Sequence, residues 1–120
     1  MPAKIVPMIH VPDIRATAAW YVSIGFTLAR FNEEDGEMNW ALLEFGGSEI
    51  MLNIGGKPSQ AQRREFDLYI HADEVDALYA EIKDKAETVE APRDTFYGMR
   101  EFIIRDFNRF WLTFGQPMRS

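Results

Sequence analysis

The residue types that could do chemistry in this chain are few and of one character. There is no cysteine, which removes disulfide frameworks, thiolate nucleophiles and Cys-ligated zinc together. No serine sits in a G-x-S-x-G elbow, so nucleophilic acyl chemistry has no candidate. With two histidines, His10 and His71, any metal site must lean on carboxylates. What is plentiful is aromatic and acidic: 9 Phe, 4 Tyr and 3 Trp stand beside 19 Asp plus Glu, against 13 Lys plus Arg, for a formal charge of −6. Trp and Tyr offer flat faces for stacking planar groups or holding cations, Met adapts to irregular ligands, and carboxylates attract positive charge. The acidic balance leaves no basic stripe to neutralise a phosphate backbone, so neither nucleic acid nor an anionic membrane surface is an expected partner.

Such residues act only where the elements of the fold place them. At 120 residues and 47% hydrophobic content the chain is read as one globular domain spanning 1–120. Lys4 to Val11 reads as a strand buried on both faces. Asp13 then caps a helix whose Ile14, Thr17, Ala18, Tyr21 and Val22 form one apolar stripe that ends at Gly25. Phe26 to Phe31, Met38 to Phe45 and Glu49 to Ile54 follow as strands. Gly55 to Glu65 is polar and without a hydrophobic period, and reads as a linker. The same order then returns: a strand from Phe66 to His71, a helix capped by Asp73 with Val75, Leu78, Tyr79 and Ile82 on one stripe, a short strand at Thr88 to Glu90, and strands at Met99 to Arg105 and Phe110 to Gly115. The expected architecture is α+β, two βαβββ modules at about 4–55 and 65–116, with one-striped helices on the outer side of concave mixed sheets.

Strand alternation then sorts the side chains. Leu43, Ile50, Leu52, Leu68, Phe102, Ile104, Leu112 and Phe114 share the parity of the helix side and are aliphatic or Phe, as a core requires. The opposite, concave parity collects Trp40, Met51, Asp67, Tyr69, Glu101 and Trp111. Asp67 and Glu101 lie mid-strand and are read as functional carboxylates, with a structural ion pair to Arg100 or Arg105 of a second copy as the alternative. Packing at an interface between copies is the competing role for Trp40 and Trp111.

The segment Tyr97-Gly98-Met99-Arg100-Glu101-Phe102-Ile103-Ile104-Arg105-Asp106, followed by Phe110-Trp111-Leu112-Thr113-Phe114, resembles the closing hairpin of the glyoxalase, bleomycin-resistance and extradiol-dioxygenase families, the vicinal oxygen chelate superfamily. The opening strand, Asp13 and the helix with Trp20-Tyr21 and Ile24-Gly25-Phe26 are similar to its first module. The resemblance runs from about Lys4 to Gln116 and implies the glyoxalase/bleomycin-resistance fold. Two details depart from the family pattern. Spacing near the end of the first helix is one residue short, and the hairpin turn is Asp106-Phe107-Asn108-Arg109, in which Asn108 is expected to supply the positive φ of the family's glycine.

Enzymes of that superfamily hold a divalent metal with His or Glu from the first and last strands of each module. The matching positions here are Val6, Met51, Asp67 and Thr113, of which only Asp67 suits a hard cation. A shifted set of His10, Glu49, His71 and Glu101 shares the concave parity and is the remaining metal-binding combination. The resemblance therefore implies a metal-free, cofactor-free binding protein of the bleomycin-resistance type. Such a protein would sequester a cationic or planar aromatic antibiotic in a groove of a homodimer, formed side by side or by domain swapping. Trp40, Met51, Asp67, Tyr69, Glu101 and Trp111 would line the groove, and Tyr97, just before Gly98, would stack on the ligand. The alternatives are a metal-dependent lyase, isomerase or dioxygenase, and a binder of an endogenous metabolite. No leader-like or membrane-spanning pattern is present, and the expected location is the cytoplasm.

Overall fold

The computed structural model describes residues 3–118. Its elements are β1 (Met8–His10), α1 (Ile14–Ser23), β2 (Thr27–Glu34), β3 (Glu37–Phe45), β4 (Ser48–Asn53), β5 (Asp67–His71), α2 (Val75–Ile82), a 3-10 turn (Lys83–Lys85), β6 (Glu87–Asp94), β7 (Met99–Arg105) and β8 (Trp111–Pro117). They form two compact units divided between Pro58 and Ser59. The first holds a sheet of order β1-β4-β3-β2 and the second a sheet of order β5-β8-β7-β6. In each, the outermost first strand pairs in parallel with the last and the other pairs are antiparallel. The β-α-β-β-β order is thus present twice, in α+β architecture with mixed sheets.

The helix side is the core of each unit, as alternation predicts. Ile9, Leu43, Ile50 and Leu52 are buried, as are Ile14, Thr17, Ala18 and Tyr21 of α1, which packs on β2, β3 and β4. In the second unit Phe102, Ile104, Leu112 and Phe114 are buried together with Val75 and Ile82 of α2, and the Phe102 and Phe114 rings stack at 4.8 Å. Each Leu, Ile, Val or Phe among them contributes about 1.5–3 kcal/mol by leaving water. A one-residue slip would turn the whole set outward, so the register is strongly specified. Val22, placed on the α1 stripe by its spacing, is instead an exposed position.

Four local readings are corrected by tertiary context. The first strand pairs only over Met8–His10, and Ile5 is fully exposed rather than buried. Pro7 ends the ladder: its carbonyl accepts from Met51 N at 2.8 Å, but its ring nitrogen has no hydrogen to give. Asp13 caps α1 as expected, accepting from Ala16 N at 2.9 Å, but Asp73 does not cap α2. There the cap position is Glu74 at φ +54, and the free Val75 N–H donates to Gln116 Oε1 of β8 at 2.6 Å. In the closing hairpin the positive φ falls on Arg109 (+74), not on Asn108. Loop length explains the difference: Asp106 N donates to the Phe110 carbonyl (2.8 Å) and Arg109 N to the Asp106 carbonyl (3.0 Å), and a three-residue hairpin loop of this kind places its left-handed residue last, while Asp106 Oδ1 accepts from Asn108 N (2.8 Å) and Phe110 N (2.9 Å). Finally, β6 runs for eight residues through Pro92, which an edge strand with two register shifts tolerates.

Candidate functional site

The face of the second sheet turned away from α2 is built by three facing rows. Asp67 lies opposite Trp111, which lies opposite Arg105; Tyr69 opposite Thr113 and Ile103; His71 opposite Gly115 and Glu101. Gly115 is the position that shapes this face. Tyr69 leans along its strand across Gly115, where a Cβ would lie 2.1 Å from the Tyr69 hydroxyl. The space left by the missing side chain lets Tyr69 reach Glu101 and donate to its Oε2 at 2.7 Å.

Glu101 is 3% exposed, a carboxylate set into the sheet. Its other oxygen, Oε1, accepts from the Tyr97 hydroxyl at 2.6 Å. Tyr97 reaches it from a turn closed by Thr95, whose N–H donates to the Met99 carbonyl at 2.8 Å, and opened by Gly98 at φ +85. Both oxygens of a buried charge are thus satisfied by short charge-assisted bonds, which is how a buried carboxylate is tolerated. Burial beside Glu101, then the hydrogen bond to it, pushes the Tyr69 phenol well above its usual range; for Tyr97 the hydrogen bond to Glu101 is the main cause of a rise in the same direction. Neither phenol is a base at neutral pH. What they offer is ring surface, 45% exposed at Tyr69 and 55% at Tyr97, beside a fixed negative charge. The His71 ring lies 5.1 Å from that of Tyr69.

One row away, Asp67 and Trp111 are also brought together, and Arg63 lies against both. Arg63 donates to Asp67 Oδ2 at 2.6 Å, and its guanidinium carbon sits 4.1 Å from the centre of the Trp111 ring. The segment that carries Arg63 is the stretch read as a linker, and it packs on this unit. The Gln62 carbonyl accepts from Trp111 Nε1 (3.1 Å) and Arg105 Nε (2.8 Å), and the Ala61 carbonyl accepts from Arg109 Nε (2.6 Å). Its only signal in the sequence was the arginine pair Arg63-Arg64, since a strap held by backbone carbonyls has no periodicity.

Trp40 and Met51 belong to the first sheet. Both are half-buried on the face opposite the core, Trp40 across from Asn53 and Met51 between Met8 and Leu42. Of the seven residues expected to line a groove, Tyr69, Tyr97 and Glu101 form one bonded cluster and Asp67 and Trp111 a second. The alternative partners of Glu101 are engaged within the chain: Arg100 with Asp76 and Asp94, and Arg105 with Glu87. Arg100 holds the Asp76 carboxyl below its usual range, and both line a separate cleft of about 260 Å³ with Glu74, Asp94, Gln116 and Met118, at the start of α2.

The donor sets do not fit a metal ion. At the family's positions Val6 and Met51 offer no hard donor, Thr113 only a hydroxyl between Tyr69 and Ile103, and Asp67 is bound to Arg63. In the shifted set both carboxylates are engaged, Glu49 with Lys4 and Glu101 with two phenols, which leaves His10 and His71 without a carboxylate to complete a site. Among the described residues no three His, Asp or Glu side chains group as a metal would require. Among them, too, no helix is long and apolar enough to cross a membrane.

Solved structures with this fold are numerous. TioX from Micromonospora sp. ML1 is 20% identical, with 98% of each chain covered and a TM-score of 0.77. A bleomycin-binding protein complexed with bleomycin is 16% identical over 98% of this chain and 100% of that one, at 0.73. A glyoxalase-related enzyme from Clostridium phytofermentans is 15% identical over 98% and 97%, at 0.79. No curated protein sequence matches significantly. The family description Glyoxalase/Bleomycin resistance protein/Dioxygenase superfamily matches residues 5–114. With the twice-repeated βαβββ unit, its sheet orders and this match over nearly the whole length, the chain belongs to the glyoxalase/bleomycin resistance protein/dioxygenase superfamily.

Proposed function

We propose that this protein binds a small planar aromatic or cationic compound and sequesters it, in the manner of the bleomycin-resistance branch, without catalysing a reaction on it. The observation that carries this reading is the face of the second sheet. Where the metal-dependent members need ligands it has Thr113 and an arginine-bound Asp67, and beside them stand the half-exposed rings of Tyr69 and Tyr97 around the buried charge of Glu101. Neutral aromatic faces over a fixed carboxylate favour a flat or positively charged ligand, through stacking and through charge. A metal-dependent lyase, isomerase or dioxygenase would need donors that Val6, Met51 and Thr113 do not provide. The fold shared with a bleomycin-binding protein is consistent with the same use.

In this reading the working unit is a homodimer, with modules side by side or exchanged, and Trp40 and Met51 contribute to its grooves. Titration with planar cationic antibiotics, followed by tryptophan fluorescence, is expected to show saturable quenching by at least one of them. The W111A and Y97A variants should weaken that binding while the elution volume on gel filtration stays that of the wild type. Absence of saturation across the panel would overturn the reading, and loss of the dimer in either variant would reassign that residue to the interface.

A further inference from the structure

Arg63 and Arg64 are consecutive, and each lies over an aromatic ring, yet the two are held very differently. Arg64 stacks 4.2 Å from the centre of Phe110, donates to the Asn108 carbonyl at 3.2 Å, and its side chain is only 14% exposed. It is a packed part of the hairpin. The Arg63 side chain is 57% exposed, and it lies against the Trp111 ring and the Asp67 carboxylate. The strap that carries it is anchored without it, through the Ala61 and Gln62 carbonyls that accept from Arg109, Arg105 and Trp111.

We propose that Asp67 and Trp111 form a subsite for a planar guanidinium or amidinium group of a ligand, filled in the free protein by the chain's own Arg63. This rests on the sequestering reading and names the ligand group for it. Asp67 and Trp111 are register partners on adjacent parallel strands, so their side chains stand on the same face. The carboxylate and the indole face together provide the two interactions a flat cation makes best, a charged hydrogen bond in its plane and a ring beneath it. Arg63 demonstrates the fit in this structure, with one nitrogen 2.6 Å from Asp67 Oδ2 and the guanidinium carbon 4.1 Å from the ring centre. An ion pair this exposed is weak, so an incoming cation can displace it while the strap stays in place. Arg105 and Arg109 both lie against the one carboxylate of Glu87, so displacement of Arg63 frees Asp67 alone.

The test is calorimetric titration of benzamidine, a flat amidinium on an aromatic ring, into the wild type, R63A and R63A/D67N, with circular dichroism confirming the fold of each. R63Q, which keeps most of the side-chain stem, serves if R63A is unstable. R63A is expected to bind about threefold or more tightly than the wild type, the scale of one exposed cation–π contact, and R63A/D67N to lose that gain. R63K should fall between, because an ammonium keeps the ion pair without the planar stack. Equal or weaker binding by R63A overturns the proposal. So does absence of binding by either protein up to about 10 mM benzamidine. A wild type that saturates with a cationic antibiotic while R63A gains nothing for benzamidine refutes the subsite and leaves the sequestering reading standing. A gain for benzamidine with no antibiotic bound supports the subsite and refutes sequestration.

Discussion

Replacing Gly115 with alanine should detach Tyr69 from Glu101 without unfolding the protein. Gly115 is buried in β8 and its φ is not positive, so glycine is there for space rather than for backbone freedom. The added methyl carbon would lie 2.1 Å from the Tyr69 hydroxyl, 2.8 Å from its ring carbon Cζ and 3.2 Å from Cε1, all closer than the roughly 3.5–4 Å of a comfortable contact. What it meets is the free end of a half-exposed side chain, which can turn toward solvent more cheaply than two paired strands can separate. The loss is one hydrogen bond to a carboxylate, about 1.5–3 kcal/mol when fully buried and reduced here to about 1 kcal/mol by solvent at the ring. The alanine returns about 0.4–1 kcal/mol by restricting the unfolded chain. The two nearly cancel, so the melting temperature should fall by no more than about 5 °C. The informative assay is therefore spectroscopic. In the wild type the Tyr69 and Tyr97 phenols ionise above the usual value of 10.0, and in G115A one of them, Tyr69, should return toward it while Tyr97 stays high. In a Y69A background, with nothing to displace, G115A should be neutral or slightly stabilising. An unchanged alkaline titration in G115A, or outright unfolding, would refute the geometry on which this rests.

Two further outcomes follow from the same packing. The phenols of Tyr69 and Tyr97 hold their protons more tightly in the folded protein than in the unfolded chain, so their contribution is fully present below pH 10 and is lost as the pH rises from there through their higher folded values. Denaturation midpoints measured from about pH 9 to pH 11 should decline in the wild type and decline less in E101Q, whose amide nitrogen cannot accept from a phenol. Gln116 is buried and caps α2 from another strand, so Q116L should leave the Val75 N–H without an acceptor and lower stability by about 1 kcal/mol, with amide exchange accelerated in the first turn of α2.

Much of the fold was readable from alternation alone. The parity that put Phe102, Ile104, Leu112 and Phe114 on one side and Tyr69, Glu101 and Trp111 on the other is a local property, because successive side chains of a strand point oppositely whatever the strand pairs with. Asp13 was legible for the same reason, since the N–H it caps is three residues away. Two of the exceptions involve partners distant in sequence. The α2 N–H finds Gln116 across 41 residues, in place of the neighbouring Asp73, and the strap that covers Trp111 reaches it across 49. The third is local: the closing hairpin has a three-residue loop, which puts the left-handed residue at Arg109 and not at Asn108.

The candidate site divides along the same line. Residue order by itself determined that an aromatic and acidic set shares one face of the sheets, that the usual metal positions hold Val6, Met51 and Thr113, and that the chain is similar to one superfamily. Only the tertiary structure decided how Asp67 and Glu101 are used. Glu101 is closed by two phenols because Gly115 leaves Tyr69 room to lie across it, and Asp67 is matched by an arginine from a segment with no pattern of its own. Alternation says which way a side chain points, but what it meets depends on register and on segments folded back from elsewhere, and these are settled only when the whole unit packs.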